Sequence, residues 1–194
     1  MKIASFIMMM GLFYGLVAQE ESDFQSLFDG KTLEGWTATE ENPESFFVDD
    51  GTIICKGGRA HLFYTGPVAD ASFKNFELQL KVRTTMGSNS GVYFHTAYQK
   101  EGWPAAGFEA QVNSTHTDPR KTGSLYGITN IWAPGDAEDP FVVRVDEKQE
   151  VFVYREKAPS ADGVWFDYQI RVLDGAVTIK VDGITTVQWT QPEG

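Results

Sequence analysis

The sequence contains a single cysteine among 194 residues, so no internal disulfide can form and no cysteine-built metal site is available. That residue, Cys55 in Thr52-Ile53-Ile54-Cys55-Lys56, is expected to be a half-buried strand thiol. Long apolar runs are equally scarce. The one present, Ile3 to Val17 behind Lys2, falls short of the about 20 residues a spanning helix needs and gives way to Gln19-Glu20-Glu21. It predicts a removable export signal over residues 1–18, with Ala18 as the small residue at the cut, and hence a periplasmic or secreted protein. No cysteine follows the run, so neither a lipid nor a membrane anchor is expected. Positive charge is also sparse. Removing Lys2 with the signal reduces 16 basic side chains to 15, which against 27 acidic ones leaves a formal charge of −12. Such a surface repels phosphate backbones and excludes nucleic acid as the expected partner. Helical periodicity, internal repeats, low-complexity tracts and linkers are all lacking after the signal, and the length suits one domain.

What the sequence does have is alternation of period two, which reads as all-β. Phe76 to Arg83 places Phe76, Leu78, Leu80 and Val82 on one face and Glu77, Gln79, Lys81 and Arg83 on the other. Asp50-Gly51 between Phe46–Val48 and Thr52–Cys55 predicts a hairpin, because Asp-Gly supplies the positive φ values of a two-residue turn. Leu173-Asp174-Gly175 and Asp182-Gly183 join Trp165–Val172, Ala176–Val181 and Ile184–Trp189 into a meander. A further hairpin is expected over Phe141 to Tyr154, around Asp146 to Gln149. In Ser90 to His95, Val92 and Phe94 are expected inward and Tyr93 and His95 outward. Short strands at this spacing suggest a two-sheet sandwich.

Chemistry concentrates in Gly107 to Gly127. Phe108, Ala110 and Val112 alternate with Glu109, Gln111 and Asn113, and a loop with His116, Asp118, Arg120 and Lys121 follows at once. Ordinary glycoside hydrolysis needs two carboxyls across the scissile bond. This strand offers one, unless Asp118 serves as the second. His95, Glu109, His116 and Asp118 are all N or O donors suited to a divalent metal, although their spacing fits no metal motif. Trp103 and Trp132 lie in loops and suit the rim of a carbohydrate site, whereas Trp165, opening a strand, is expected in the core. His61 is expected to be structural or exposed. Asn113-Ser114-Thr115 matches a glycosylation sequon.

Phe28-Asp29-Gly30-Lys31, Leu33-Glu34-Gly35-Trp36, the Phe76 to Arg83 strand, Asn89 to Phe94, Gly107 to Gln111 and Thr122 to Tyr126 occur in one order along most of the chain. Together they resemble the DUF1080 family, also called the 3-keto-disaccharide hydrolase domain. The chain departs from the family's common pattern in His95, where many members have Arg, and in Asn113, where many have Asp. The resemblance implies a concanavalin A-like jelly-roll sandwich of two antiparallel sheets over residues 24–194, ending short of the family's closing strands. It also implies action on glycosides oxidised at C3 by a partner sugar 3-dehydrogenase. A 3-ketone acidifies the proton on C2, so one base, one enolate stabiliser and one proton donor suffice for cleavage at C1. Glu109 or His116 is then the expected base, with Gln111, Lys121 and His95 as donors and Tyr126 as proton donor to the leaving group. Tyr93, His95, Gln111, Asn113, Trp103 and Trp132 are the expected substrate-binding residues. The alternative is a non-catalytic carbohydrate-binding module on the same fold.

Overall fold

The computed structural model describes residues 24–118, 120–127, 141–145, 149–153 and 158–191, with 141–145 and 149–153 described by backbone alone. The export signal, Trp132 and the Ala133 to Pro140 loop lie outside the described residues. All regular structure among the described residues is strand, apart from two short 3-10 turns. The strands are β1 (Trp36–Ala38), β2 (Phe46–Asp49), β3 (Thr52–Cys55), β4 (Leu62–Tyr64), β5 (Phe76–Val82), β6 (Ser90–Phe94) and β7 (Phe108–Val112). They continue with β8 (Leu125–Gly127), β9 (Phe141–Val145), β10 (Gln149–Val153), β11 (Phe166–Leu173), β12 (Ala176–Val181) and β13 (Ile184–Thr190).

The expected turns form where the sequence places them. Asp50-Gly51, Asp174-Gly175 and Asp182-Gly183 all carry positive φ at both positions, from 44° to 81°, as a two-residue hairpin turn that matches strand twist requires. They close β2 on β3, β11 on β12 and β12 on β13. β9 pairs with β10 as the expected hairpin. β5 joins the far side of β11, giving a four-stranded antiparallel sheet in the order β13-β12-β11-β5. β4 does not extend β3. It pairs instead with β1, because Thr37 and Thr65 and the backbone of Gly35 and Thr65 tie the two segments together.

The second layer that matters for function is the antiparallel sheet β6-β7-β8. Phe94, Phe108, Ala110, Val112 and Leu125 from its inner face share one core with Phe166, Tyr168, Ile170, Val172, Val177, Ile179, Val181, Val187 and Trp189 of the four-stranded sheet. The expected all-β sandwich of antiparallel sheets is therefore what forms, and its driving term is removal of these apolar faces from water. A bulge in β13 interrupts its register with β12 between Ile179 and Lys180. It turns Thr186 inward, where its hydroxyl lies 2.8 Å from the carbonyl oxygen of Gly123. This fixes the loop before β8 to the opposite sheet.

Two expectations change on folding. Trp165 is 42% exposed rather than in the core, with the Arg83 guanidinium 4.8 Å from its ring centroid. Cys55 ends the two-stranded β2-β3 pair and is exposed. Asn113 is fully buried with its amide nitrogen bonded inside the protein, so the sequon is out of reach in the folded domain.

Candidate active site

β7 is buried on both faces, and its outward face is the floor of the site. Register sets the order across that floor: Tyr93 of β6 opposes Glu109 of β7, and Glu109 opposes Tyr126 of β8. A carboxylate thus lies between two phenols. Glu109 is only 8% exposed. Burial pushes its carboxyl up to about 6, against the lowering effect of the Tyr93 hydrogen bond and the Arg120 charge. Tyr93 donates that bond, and burial followed by the Glu109 charge holds its own hydroxyl well above the ordinary phenol range. Gly91 faces this carboxylate from β6. A Cβ there would come within 2.5 Å of Glu109 Cγ, so only glycine leaves the glutamate its place.

One step along β7, Gln111 opposes Gly91. Its amide oxygen accepts from the backbone N–H of Val112 at 3.2 Å, and its side-chain nitrogen has no partner among the described residues. Asn113 serves the loop rather than the open face. Its Nδ2 donates to the carbonyls of Asp118 at 3.1 Å and Arg120 at 3.0 Å, while its backbone exchanges bonds with Thr122. The sequence pattern alone could not separate a binding amide from one that shapes a loop.

The loop side carries the charge. Arg120 makes a two-pronged pair with Asp118, Nε to Oδ1 at 2.9 Å and Nη2 to Oδ2 at 2.6 Å. The Arg120 side chain holds the Asp118 carboxyl below its usual range, and Asp118 holds the guanidinium above its own. The same guanidinium lies over Tyr126, 4.2 Å from the ring centroid, and its charge reaches Glu109. His116 Nδ1 accepts from the backbone N–H of Asp118 at 3.0 Å, which puts the ring hydrogen of the neutral imidazole on Nε2. Lys121 Nζ donates to the His116 carbonyl at 2.5 Å. Arg120, to which the sequence alone assigns no role, is the cation that meets the floor. Its only sequence signal is the Asp118-Pro119-Arg120 spacing just before the strand that carries Tyr126.

The other side is aromatic. The His61 ring stands edge-on to Tyr93 at 5.6 Å and to Trp103 at 5.5 Å, and burial lowers its tendency to protonate. Trp103 is 63% exposed at the rim. His95, by contrast, leaves the face that alternation assigns it. Its φ of 55° turns the ring against Phe76 and Phe94, and Nε2 lies 2.9 Å from the Lys74 carbonyl oxygen. It lines a separate surface hollow with Ser72, Phe73, Asn75 and Gln191. His95, Glu109, His116 and Asp118 therefore do not converge, and no group of three or more metal-ligating side chains is gathered among the described residues. A divalent metal does not fit these four as a set.

Comparison with known proteins gives this arrangement its context. A stretch of 75 residues, 36% of the chain, is 32% identical to a 3-keto-disaccharide hydrolase of Bacteroides thetaiotaomicron and spans about a quarter (26%) of that protein. Two crystal structures of provisionally assigned glycosyl hydrolases from Parabacteroides distasonis share the fold. One superimposes with a TM-score of 0.58 at 20% identity over 86% of this chain and 71% of that one. The other gives 0.57 at 20% identity over 82% and 68%. The profile of the 3-keto-alpha-glucoside-1,2-lyase-like domain matches residues 23–194, nearly all of the sequence that follows the apolar run, and the chain belongs to that family.

Proposed function

We propose that this domain cleaves glycosides carrying a ketone at C3, with Glu109 as the base that removes the C2 proton. The observation that carries the proposal is Glu109 itself: a buried carboxylate raised to about 6, bonded to a phenol and within reach of a fixed cation. A base with that affinity is largely ionised at neutral pH and still strong enough to take a proton made acidic by an adjacent ketone. Cleavage of an unactivated glycoside would need a second free carboxyl. Asp118 is locked to Arg120 by two hydrogen bonds and held as a carboxylate, so it cannot act as the acid.

The electron and proton balance closes with the groups present. Glu109 takes the C2 proton, negative charge gathers on the C3 oxygen, and the C1–O bond breaks as a C1–C2 double bond forms. The departing alkoxide takes a proton from a phenol, Tyr126 or Tyr93; a Tyr126 phenolate recovers its proton from solvent as protonated Glu109 releases one. For Tyr93 the proton returns from Glu109 along the hydrogen bond already between them. Arg120 supplies positive potential for the enolate. Addition of water across the new double bond would complete a net hydrolysis. Lys121 orders the loop through the His116 carbonyl, and Gln111 offers its amide nitrogen to the sugar.

The proposal includes its setting. The apolar N-terminal run supports export, and a sugar 3-dehydrogenase must supply the ketone. The test is product release from a 3-keto-glucoside and from the same unoxidised glucoside. Cleavage of the keto compound alone is expected, with Glu109→Gln losing at least about a hundredfold in kcat. Near-normal turnover by Glu109→Gln would remove Glu109 from its role.

A further inference from the structure

The Arg120 guanidinium stands on the loop between β7 and β8, and it lies over Tyr126 only if that loop is held at both ends. At the inner end Asn113 takes the carbonyls of Asp118 and Arg120. At the outer end the hydrogen bonds converge on a carboxylate from a remote part of the chain. We infer that Asp162, a few residues before β11, is a positioning residue that fixes, through Thr115, the loop setting Arg120 over Tyr126 and beside Glu109. The inference rests on the reading of Glu109 as the base.

Thr115 Oγ1 donates to Asp162 Oδ2 at 2.5 Å and accepts from the backbone N–H of Gly87 at 2.9 Å. Thr84, buried just past the end of β5, donates to the other carboxylate oxygen, Oδ1, at 2.7 Å. With its proton so placed, Thr84 Oγ1 accepts from Ser114 Oγ at 2.9 Å. The backbone repeats the tie, since the Gly163 N–H donates to the Thr84 carbonyl at 2.8 Å. Segments far apart in the chain thus meet at one carboxylate, and the adjacent loop hydroxyls of Ser114 and Thr115 are bound into the junction. A carboxylate suits the place because both of its oxygens accept, whereas an amide would accept on one alone. Beyond Thr115 the loop is braced within itself. His116 Nδ1 accepts from the Asp118 N–H, Lys121 holds the His116 carbonyl, and Asp118 grips Arg120. That bracing transmits the position of Thr115 to the guanidinium.

A positioning role and a merely structural one differ in what Glu109 reports. The groups bearing on its carboxyl are Tyr93 of β6, the loop's Arg120 and Asp118, and Tyr168 of β11, with Tyr126 opposite on β8. Arg120 lowers its proton affinity more than Asp118 raises it, so displacing the pair raises that affinity. Loss of stability alone leaves it where it is. The experiment follows Glu109 by NMR titration of carboxyl-labelled protein and measures turnover of a 3-keto-glucoside. Asp162→Ala and Thr115→Val should each raise the midpoint by about half a unit or more and lower kcat/KM about tenfold, chiefly in kcat. The double variant should do little more than either, because both cut the same tie. Thr115→Ser, which keeps the hydroxyl, should match the wild type. Should Asp162→Ala not fold, Thr115→Val decides, its site being exposed. Folded variants that titrate at the wild-type midpoint overturn the inference. If the wild type does not cleave the 3-keto-glucoside, the assignment of Glu109 as base fails, and the titration by itself decides whether Asp162 sets the loop.

Discussion

Glu109 holds a carboxylate where water hardly reaches, and the cost of doing so has a sign that can be worked out. Its folded affinity for protons, about 6, lies above the ordinary 4.5. Between those values the folded state binds more protons than the unfolded chain, so this group's contribution to stability falls as pH rises from about 4.5 to about 6. Above that window the penalty is about 2 kcal/mol. Glu109→Gln keeps an acceptor for Tyr93 without the charge. It should therefore be more stable than the wild type by up to about 2 kcal/mol at pH 7, with the advantage gone near pH 4, as denaturant melts at the two pH values would read. A variant no more stable at pH 7 would mean the carboxylate is solvated after all. The same value predicts that turnover rises with pH through about 6 and then levels, because only the ionised form is a base.

β7, β8 and the loop between them behave as one device. Asn113 donates to the carbonyls of residues 118 and 120 and so places the Asp118–Arg120 pair beside Glu109. Asn113→Ala should leave two buried carbonyls unpaired and lower stability by about 1–3 kcal/mol. The expected activity loss is larger than the stability loss implies, because Arg120 is no longer held over Tyr126. Thermal melting alongside kcat/KM checks this, and a variant that melts early yet keeps full kcat/KM would show that Asn113 supports the fold alone. The tie from Thr186 to Gly123 explains why this loop is not independent of the far sheet. A bulge in β13 aims the hydroxyl, and Gly123, at φ 80°, leaves no room for a side chain beside it.

Across the whole molecule, the two sheets are held by one apolar layer, with Ile170 of β11 at its centre and fully buried. Ile170→Ala should cost about 2–5 kcal/mol, read as a lower denaturant midpoint at unchanged slope. A loss under about 1 kcal/mol would show that the sheets do not share a core there. The polar floor lies on the other face of β7, so the same strand that anchors the core through Phe108, Ala110 and Val112 also carries Glu109, the proposed base. Rigidity of the proposed base is thereby inherited from the sandwich.

Period-two alternation and three Asp-Gly turns were enough to define the antiparallel strands, because side-chain direction in a strand and positive φ at a turn are local properties. They also singled out Glu109, Gln111 and the charged loop as the candidate site. What alternation could not carry was anything that depends on register or on backbone departures from it. His95 left the face because of one positive φ, and Asn113 turned out to be a loop clamp. Arg120 and His61 gained their positions only when β6, β7 and β8 aligned Tyr93, Glu109 and Tyr126 in a row. Local sequence sets which way a side chain points; which side chains meet is decided by pairing between strands far apart in the chain.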